Sequence, residues 1–453
     1  MNSIDKNYHA ISSHFKSINC YKIFLSCTVI ILSLPLSTLA QEKLSLNQAW
    51  DIALQNNYSL QQQEKLVEKA SEEISIQKTG YYPSLSTMGV YARAEFDEFP
   101  IEFPIAMPNP SKSVGLDLIS LSISQPIFTG LRITNMVKAA KEQYSAQNIQ
   151  KEIIKDQLLL QIGRIYYDVQ LNLLQQDVLK SSIQRVSTQV KKLYNLLRME
   201  QATPFDTLEI TNHRLQISNQ LMILQDRYEI LISKLMYILN AQELPPMAEL
   251  SPSSPELKLE PLSSYQIIAL QQRPELQNIT AIKRVQDFQA GIYRAMYYPQ
   301  ISASLAYNYL KFKGNLFRDD WSNFYSFLIN FQWEIWTWQR DKRKVQQSRL
   351  ESDRLDLQYQ QLIEDIKQQV TEAYQNLNSI RKQIHFQKKL VELEKERYRL
   401  TQERYDQGLL ASLDLRSTEH TLTETELVLH KIYISWYQNR LYLDWATGTI
   451  NKP

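Results

Sequence analysis

Residues 362–388 read LIEDIKQQVTEAYQNLNSIRKQIHFQK, and the longer segment around them, 339–407, contains neither glycine nor proline. Because these two helix-breaking residues are missing, the segment predicts one continuous helix, roughly 100 Å long at 1.5 Å per residue. Its apolar side chains recur at alternating steps of four and three, a seven-residue repeat that is typical of coiled coils. The repeat consists of Ile366, Val370, Ala373, Leu377, Ile380 and Ile384.

A second segment of the same kind lies in the first half of the chain. Residues 132–202 contain no proline and a single glycine. A heptad repeat runs through them from Ile162 to Leu197, and apolar residues fill most of its positions. A shorter periodic segment follows each long one and predicts returning helices at about Phe205–Asn240 and Leu413–Thr447, roughly half as long.

The chain consists of two copies of one pattern. Tyr-Tyr-Pro occurs at 81–83 and again at 297–299, and later features recur at a second constant offset. These later pairs are Arg132 with Arg340, Val137 with Val345, Tyr166 with Tyr374 and Asp206 with Asp414. Each copy is predicted to run helix, strand, strand, long helix, turn and returning helix. The copies occupy 41–261 and 262–453, and a proline-rich linker, 241–261, ends the first.

The first helix of each copy is predicted to begin after a capping serine, Ser45 or Ser263, because serine is a preferred N-cap. It is predicted to stop before Pro83 or Pro299, because a residue that precedes proline is disfavoured in the helical region.

The first 40 residues have the features of a secretory signal peptide. An apolar run at 23–36 follows two lysines, and the segment ends in a small residue, Ala40. The run is short for a membrane span, although an uncleaved anchor is the alternative. The two cysteines, Cys20 and Cys27, both lie in this leader, so the rest of the chain has no thiols for a disulfide or a zinc site.

Composition excludes several classes of function. The chain has 50 Lys and Arg against 48 Asp and Glu, and this balance gives no electrostatic footprint for nucleic acid. No glycine-rich phosphate loop, Ser-His-Asp order or HExxH motif is present. We therefore predict no enzyme activity, no cofactor and no metal site. His213 and His420, near the predicted turns, are expected to be exposed and solvated.

Two pairs of strands are predicted, at about 84–128 and 301–336. In the last strand Phe327, Ile329 and Phe331 alternate with polar residues. A strand of a membrane barrel requires one apolar and one polar face, although a soluble half-buried sheet fits the same alternation. Aromatic residues near the strand ends favour the membrane, because rings suit the headgroup region. These membrane-interface candidates are Tyr81, Tyr82, Tyr297, Tyr298, Trp321, Trp333, Trp336 and Trp338.

Four strands in one chain cannot close a barrel by themselves. In lipid every backbone hydrogen bond must be satisfied, so the sheet must close on neighbouring copies. About eight strands give a barrel filled by side chains, and a conducting tube needs more. Three or more copies are therefore expected, with the long helices extending the same tube into an aqueous compartment.

Several features together carry a family resemblance. They are the leader, the Leu46-to-Asn57 start (L-x6-A-L-x-x-N), the Tyr-Tyr-Pro ending, the turn from Tyr405 through Gly408 to Asp414, and the duplicated element order. In these features the chain resembles the TolC-like outer-membrane efflux proteins. The resemblance covers essentially the whole chain after the leader.

The resemblance implies an α+β membrane protein that forms a homotrimer. Four strands per chain would contribute to a trimeric 12-stranded β-barrel in the outer membrane of a Gram-negative bacterium, and long coiled-coil helices would continue it as a tunnel in the periplasm. It also implies three kinds of partner: outer-membrane lipid, a periplasmic adaptor (membrane fusion protein) and an inner-membrane pump. The function would be passive export of substrates, as the outer channel of a tripartite efflux or type I secretion system.

The resemblance also places the narrowest point of the tunnel at the turns between long and returning helices. In this chain the candidates are Asp206, Tyr405, Gly408, Leu409, Leu410 and Asp414. Aspartates from three subunits would form a ring of negative charge that could hold cations. The family's prototype has an arginine and a second aspartate near this turn, where this chain has Leu410 and Ser417. An acidic ring and an apolar closure by Leu409 and Leu410 therefore both remain open.

Helix capping is the alternative interpretation of the two aspartates, and the two roles can coexist. Thr203, Pro204 and Asp206 have the order of an N-cap, a first-turn proline and a capping acid, and Asp414 stands in the same place in the second copy. Two other functions compete with a channel: a structural trimeric coiled-coil protein of the cell surface, and a soluble periplasmic adaptor. Antiparallel returning helices and duplicated strand pairs argue against a simple stalk.

Overall fold

The computed structural model describes residues 43–95, 113–248, 258–314 and 320–451. The predicted leader and part of the predicted linker lie outside the described residues. The elements in chain order are α1 Leu46–Asn56, α2 Tyr58–Thr79, β1 Ser84–Glu95, β2 Ser113–Phe128, α3 Arg132–Arg198, α4 Pro204–Leu239, α5 Leu262–Gln272, α6 Pro274–Arg294, a 3₁₀ turn Ala295–Tyr297, β3 Gln300–Lys313, β4 Trp321–Gln332, α7 Arg340–Asp406 and α8 Ser412–Ala446.

The duplicated order of elements is confirmed, but the first helix of each copy is two helices rather than one. In the first copy Asn57 interrupts it, because its side chain caps α2 by accepting hydrogen bonds from the backbone N–H groups of Ser59 and Leu60. In the second copy Pro274 starts a new helix at its N1 position. The Ser45 cap is confirmed. The Ser263 cap is wrong, since α5 begins two residues earlier than predicted, at Leu262, after Pro261.

Two helices of 67 residues, α3 and α7, dominate the molecule. At 1.5 Å per residue each is about 100 Å long, as the sequence predicts. The returning helices α4 and α8 have 36 and 35 residues, and each packs antiparallel on its long helix to form a hairpin. We call the α3–α4 pair the first hairpin and the α7–α8 pair the second hairpin, and their turns the tips.

The heptad positions form the core between these helices. Ile366, Val370, Ala373 and Leu377 are fully buried in the second hairpin, beside Trp436 of α8. The first hairpin has two polar interruptions. Asn172 donates a hydrogen bond of 3.0 Å to the carbonyl oxygen of Leu224, and Gln176 donates one of 2.8 Å to the Asn172 side chain. Because both amides are paired, they are tolerated in the core and favour one register between α3 and α4.

The four strands form one antiparallel sheet in the order β1-β2-β3-β4. Ile119 of β2 lies opposite Tyr309 of β3, and Ile123 lies opposite Leu305, so the apolar residues share one face. That face is exposed in the single chain, with Ile329 61% accessible. The other face mixes small polar residues with apolar ones such as Leu310 and Leu328, and Asn308 joins two of the serines, Ser120 and Ser326, by hydrogen bonds. This two-faced sheet is what the alternation in the sequence predicts.

The sheet has two distinct ends. At the helix-proximal end the strands meet the helices, and Gln300 pairs with Gln332 there. At the distal end, farthest from α3 and α7, Glu95 pairs with Ser113. Of the eight aromatic candidates only Trp321 lies at the distal end. The seven at the helix-proximal end are Tyr81, Tyr82, Tyr297, Tyr298, Trp333, Trp336 and Trp338, and all are exposed in the single chain. In the part of the chain that the structure describes, no helix combines the length and the apolarity of a membrane span.

Candidate constriction at the hairpin tips

The tip of the first hairpin is closed by a capping box. The hydroxyl oxygen of Thr203 accepts a hydrogen bond of 3.2 Å from the backbone N–H of Asp206, and the Asp206 carboxylate accepts one of 3.0 Å from the backbone N–H of Thr203. Pro204 occupies the first turn of α4, where its missing N–H costs nothing. The capping role predicted for Asp206 is therefore present.

The tip of the second hairpin turns at Gly408. This residue has φ +73°, in the left-handed region that glycine adopts without steric cost. Its N–H donates to the carbonyl oxygen of Tyr405, and the N–H of Leu409 donates to that of Arg404, a Schellman ending of α7. The first hairpin makes the same turn, and the left-handed position there is occupied by Glu200, with φ +58°, instead of a glycine.

Asp414 caps α8 as Asp206 caps α4. Its carboxylate accepts a hydrogen bond of 3.3 Å from the backbone N–H of Ala411, and the side chain is exposed. Ala411 has no hydroxyl to return a hydrogen bond, so this cap is weaker than the one at Thr203. Leu409 is exposed at the turn, and Leu410 is half-buried.

The structure brings the two tips together at Asp206. The hydroxyl of Ser412, the first residue of α8, donates a hydrogen bond of 2.8 Å to the second oxygen of the Asp206 carboxylate. Hydrogen bonds from Thr203 and then Ser412 lower the pKa of Asp206, because they favour its charged form. The aspartate therefore caps one hairpin and binds the other at the same time.

Tyr405 lies beneath this contact rather than in it. Its ring is half-buried against Tyr398, Leu415 and Leu422. Burial raises the pKa of its hydroxyl, and the nearby charges of Asp206 and Asp406 raise it further. Within this chain Tyr405 packs the second hairpin, and among the predicted residues Asp206 alone bridges the two.

Two ion pairs between the hairpins were not foreseen from the sequence. Arg416 of α8 lies 2.9 Å from the carboxylate of Glu209 in α4. Lys192 of α3 lies 3.0 Å from that of Asp406 at the end of α7. Together with the Ser412–Asp206 hydrogen bond they link all four helices near the tips. The sequence contains these charges, but it does not indicate which helices face each other.

A buried carboxylate, Glu419, lies about one and a half turns along α8 from Asp414. Its side chain is fully inaccessible. It accepts hydrogen bonds from the hydroxyl of Ser182 at 2.7 Å and from the guanidinium of Arg185 at 3.0 Å, both on α3. It also accepts one from Thr423 of its own helix. We call Glu419 and these three partners, together with His213, the inter-hairpin hub.

His213 of α4 belongs to this hub, so the prediction that it is solvated is wrong. It is buried, and its Nε2 lies 3.3 Å from the Glu419 carboxylate. Burial raises the pKa of Glu419, but the hydrogen bonds from His213 and Ser182 and the charge of Arg185 outweigh it, and the net pKa is lowered. His420 is exposed, with its ring centre 6.2 Å from that of His213. Among the described residues no group of three or more His, Cys, Asp and Glu side chains could hold a metal ion.

These features define a class of protein. A sheet with one exposed apolar face and one face that carries the small polar residues continues into two antiparallel hairpins of about 100 Å, whose tips are joined by polar contacts. That is the architecture of one subunit of a membrane-anchored channel with a long helical extension.

The chain belongs to the outer membrane efflux protein family. The family model matches residues 49–196 and again residues 268–449, one match for each copy of the repeat. No curated protein matches the chain in sequence. As a member of this family the chain is an outer-membrane efflux channel. This favours the channel over the two alternatives, a structural coiled-coil protein and a soluble periplasmic adaptor.

Solved structures share the fold at low sequence identity. CusC, described in terms of transmembrane channel formation, superposes with a TM-score of 0.77 at 16% identity, over 89% of this chain and 92% of CusC. The outer membrane protein VceC of Vibrio cholerae gives 0.74 at 15%, over 89% and 96%. The open-state outer membrane channel MtrE of Neisseria gonorrhoeae gives 0.70 at 17%, over 89% of each chain. At these identities the likeness shows the fold.

Proposed function

We propose that three copies of this chain form one passive export duct, with a 12-stranded barrel in the outer membrane and a helical tunnel in the periplasm. The observation that carries the proposal is the open sheet. Within the described residues β1 and β4 each pair with a single neighbouring strand, although each has 12 residues. In lipid such edges must be paired, and three sheets of four strands close a barrel wide enough to conduct.

The two faces of the sheet suit opposite surroundings. The face with Ile119, Leu305 and Phe327 would contact lipid. The face with Ser120, Asn308 and Ser326 would line the lumen, where hydroxyl and amide groups remain hydrated. The helix-proximal aromatic residues would then lie at the periplasmic headgroup level of the outer membrane.

The tunnel would be narrowest at the hairpin tips. The residues we propose for this constriction are Asp206, Tyr405, Gly408, Leu409, Leu410 and Asp414. Within one chain the first hairpin is bound to the second through Asp206 and Ser412, and this contact would hold the tip closed. The exposed leucine at 409 would point an apolar side chain into the same region, and Asp414 would add a negative charge from each subunit.

The partners we propose are a periplasmic adaptor and an inner-membrane pump. The tips expose apolar side chains, among them Phe205 at 71% and Leu208 at 69%. Exposed residues of this kind suit a protein that docks on the tips and draws the hairpins apart. Tripartite efflux and type I secretion both use such an arrangement.

One experiment tests the duct directly. The mature protein would be extracted from membranes, sized in detergent and inserted into planar lipid bilayers. We expect extraction to require detergent, the particle to contain three chains, and step-like conductance to appear. A detergent-free soluble monomer, or a trimer without conductance under conditions that open related channels, would refute the proposal.

A further inference from the structure

We propose that the distal end of the lipid-facing surface binds the phosphate groups of lipopolysaccharide, through Arg93 and Lys313 with Lys311 beside them. This inference rests on the proposed function, because the orientation of the sheet decides which leaflet this end meets. The long helices leave the sheet at the opposite end and extend into the periplasm. The distal end therefore meets the outer leaflet, which in Gram-negative bacteria consists mainly of phosphorylated glycolipid.

The cations lie on the lipid-facing side of the sheet. Gly115 of β2 pairs with Arg93 of β1 and with Lys313 of β3, and its neighbour along the same face, Asp117, pairs with Lys311. Side chains alternate between faces along a strand, so these positions continue the row of Ile119, Leu121 and Ile123. Charges at this position would be costly in hydrocarbon, and they fit the headgroup level instead.

An aromatic belt marks that level on the same face. Tyr91, Lys311 and Trp321 belong to one cross-strand row, joined through Asp117, and Tyr309 lies one row closer to the helices. The rings of Tyr309 and Trp321 are stacked, with centroids 4.6 Å apart. Rings of this kind collect where the acyl chains meet the headgroups. The cations therefore lie at the depth of the lipid phosphates.

Arg93 is held in position rather than extended into solvent. Its guanidinium lies 3.9 Å from the centre of the Tyr91 ring and 2.7 Å from the Asp117 carboxylate. It crosses Gly115, where an added Cβ would be only 2.8 Å from Nη1 of the arginine. The missing side chain at 115 thus provides the space in which the guanidinium lies flat on the sheet.

Lys313 completes the positive surface. Its ammonium group lies 3.4 Å from the second oxygen of Asp117, and 43% of its side chain is accessible. Asp117 therefore holds both Arg93 and Lys313 in place, while its single negative charge neutralises only one of them. Lys311, in the next row, is the third cation. Among the residues that the structure describes on this face, Glu95 at the end of β1 is the further acidic one, so three cations face two carboxylates. An excess of cations next to a belt of rings matches a glycolipid that carries phosphate above acyl chains.

The test measures lipid binding by the detergent-solubilised trimer with native mass spectrometry. The probes are bis-phosphorylated lipid A, the same lipid A after enzymatic removal of both phosphates, and phosphatidylglycerol. For the wild type we expect lipid A to bind about tenfold more tightly than its dephosphorylated form, and more tightly than phosphatidylglycerol. The variant Arg93→Gln with Lys313→Gln should weaken lipid A binding about tenfold. Lys69→Gln, an exposed lysine on α2, is the matched control and should leave it unchanged.

A second variant moves the guanidinium without removing a charge. Gly115→Ala places a methyl group where Arg93 lies, and should weaken binding severalfold. Equal binding of phosphorylated and dephosphorylated lipid A by the wild type would overturn the inference, and this comparison needs no variant to fold. Equal binding of phosphatidylglycerol would also overturn it, since the surface would then accept any anionic lipid. Conductance measured on the same samples tests the duct separately, because the lipid variants should conduct as the wild type does.

Discussion

Ser412 of the second hairpin donates a hydrogen bond of 2.8 Å to Asp206 of the first. The acceptor is a charged carboxylate whose other oxygen already caps its own helix at Thr203. Opening the tips by separating the hairpins must therefore break a hydrogen bond to a charged group, while each helix cap survives. The contact between the hairpins can therefore be lost without a loss of stability in either hairpin.

We expect Ser412→Ala to loosen this contact while leaving the charges and caps in place. A hydrogen bond to a charged group contributes about 1.5–3 kcal/mol when buried, and this partly exposed one would contribute about 1 kcal/mol. In planar bilayers the variant should open more often than the wild type. Ser181→Ala is the control, because the Ser181 hydroxyl bonds only to a carbonyl oxygen of its own helix. An unchanged open probability would show that the contact does not hold the channel closed.

Asp414→Ala distinguishes an acidic ring from a cap. If three Asp414 side chains surround the pore, the variant should change the conductance and weaken block by divalent cations. If Asp414 only caps α8, the conductance should stay constant while the first turn of α8 loses about 0.5–1 kcal/mol of stability. Single-channel recording with and without added divalent cations, together with hydrogen exchange of α8, separates the two results.

The two tips offer a matched pair of backbone substitutions. Gly408→Ala forces a side chain into a left-handed conformation and should cost about 1 kcal/mol, although the surrounding space is open. Glu200→Gly, at the equivalent turn of the first hairpin, should stabilise by a similar amount for the same reason. Hydrogen exchange measured by mass spectrometry should show faster exchange at 404–411 in the first variant and slower exchange at 196–203 in the second. Changes of the same sign in both would contradict this account.

Local patterns in the sequence account for the long helices and the sheet. A proline-free segment with heptad spacing predicts a long helix because both signals act within a few residues, and α7 agrees from Arg340 to Asp406. The break at Pro274 has an equally local signal, because proline is favoured in the first turn of a helix and disfavoured in its interior. The break at Asn57 is harder to see, because an asparagine cap competes with continued helix by only about 1 kcal/mol.

Contacts between distant segments could not be read from the sequence. Glu419 stands in Thr-Glu-His, with nothing nearby to show that it is buried, and its partner Arg185 is 234 residues away. The prediction for His213 is wrong for the same reason, because the environment of this side chain depends on how α4 faces α8. The repeated turn in the sequence predicts where the tip residues lie, whereas their pairing depends on how the two hairpins pack.

Glu419→Gln should destabilise the protein, because it leaves Arg185 partly buried without its main counter-charge. Removing one partner of a buried pair costs about 3–5 kcal/mol, and we expect about 2 kcal/mol here because the arginine retains some solvent contact. Glu403→Gln, an exposed residue paired with Arg399, should cost less than about 0.5 kcal/mol. Thermal unfolding in detergent, followed by circular dichroism at 222 nm, compares the two variants. Equal melting temperatures would mean that the hub contributes no stability.

The hub also predicts a loss of stability in acid. Because the pKa of Glu419 is lowered on folding, its charged form stabilises the folded state at pH values above its unfolded pKa of about 4.5. This contribution is lost as the pH falls below 4.5 through the folded value. The wild type should therefore lose more stability than Glu419→Gln between pH 5 and pH 3. A parallel loss in both would assign the acid sensitivity to other carboxylates.

Asp156 of α3 predicts the opposite dependence on pH. Burial, reinforced by the charges of Glu152 and Glu275, raises its pKa from 3.8 to about 6. The protonated form of Asp156 therefore stabilises the folded state, and this contribution is fully present only below the unfolded pKa of 3.8. It disappears as the pH rises through the folded pKa of about 6. A shift of about two pKa units corresponds to about 3 kcal/mol, which solvent screening reduces to about 1 kcal/mol for a side chain that remains partly exposed.

Asp156→Asn should therefore melt at a higher temperature than the wild type at pH 7.5 and at a similar temperature near pH 4. Asp177→Asn, an exposed residue of the same helix, is the control and should change the melting temperature little. A variant that is less stable than the wild type at pH 7.5 would mean that the charged carboxylate is favoured in the fold.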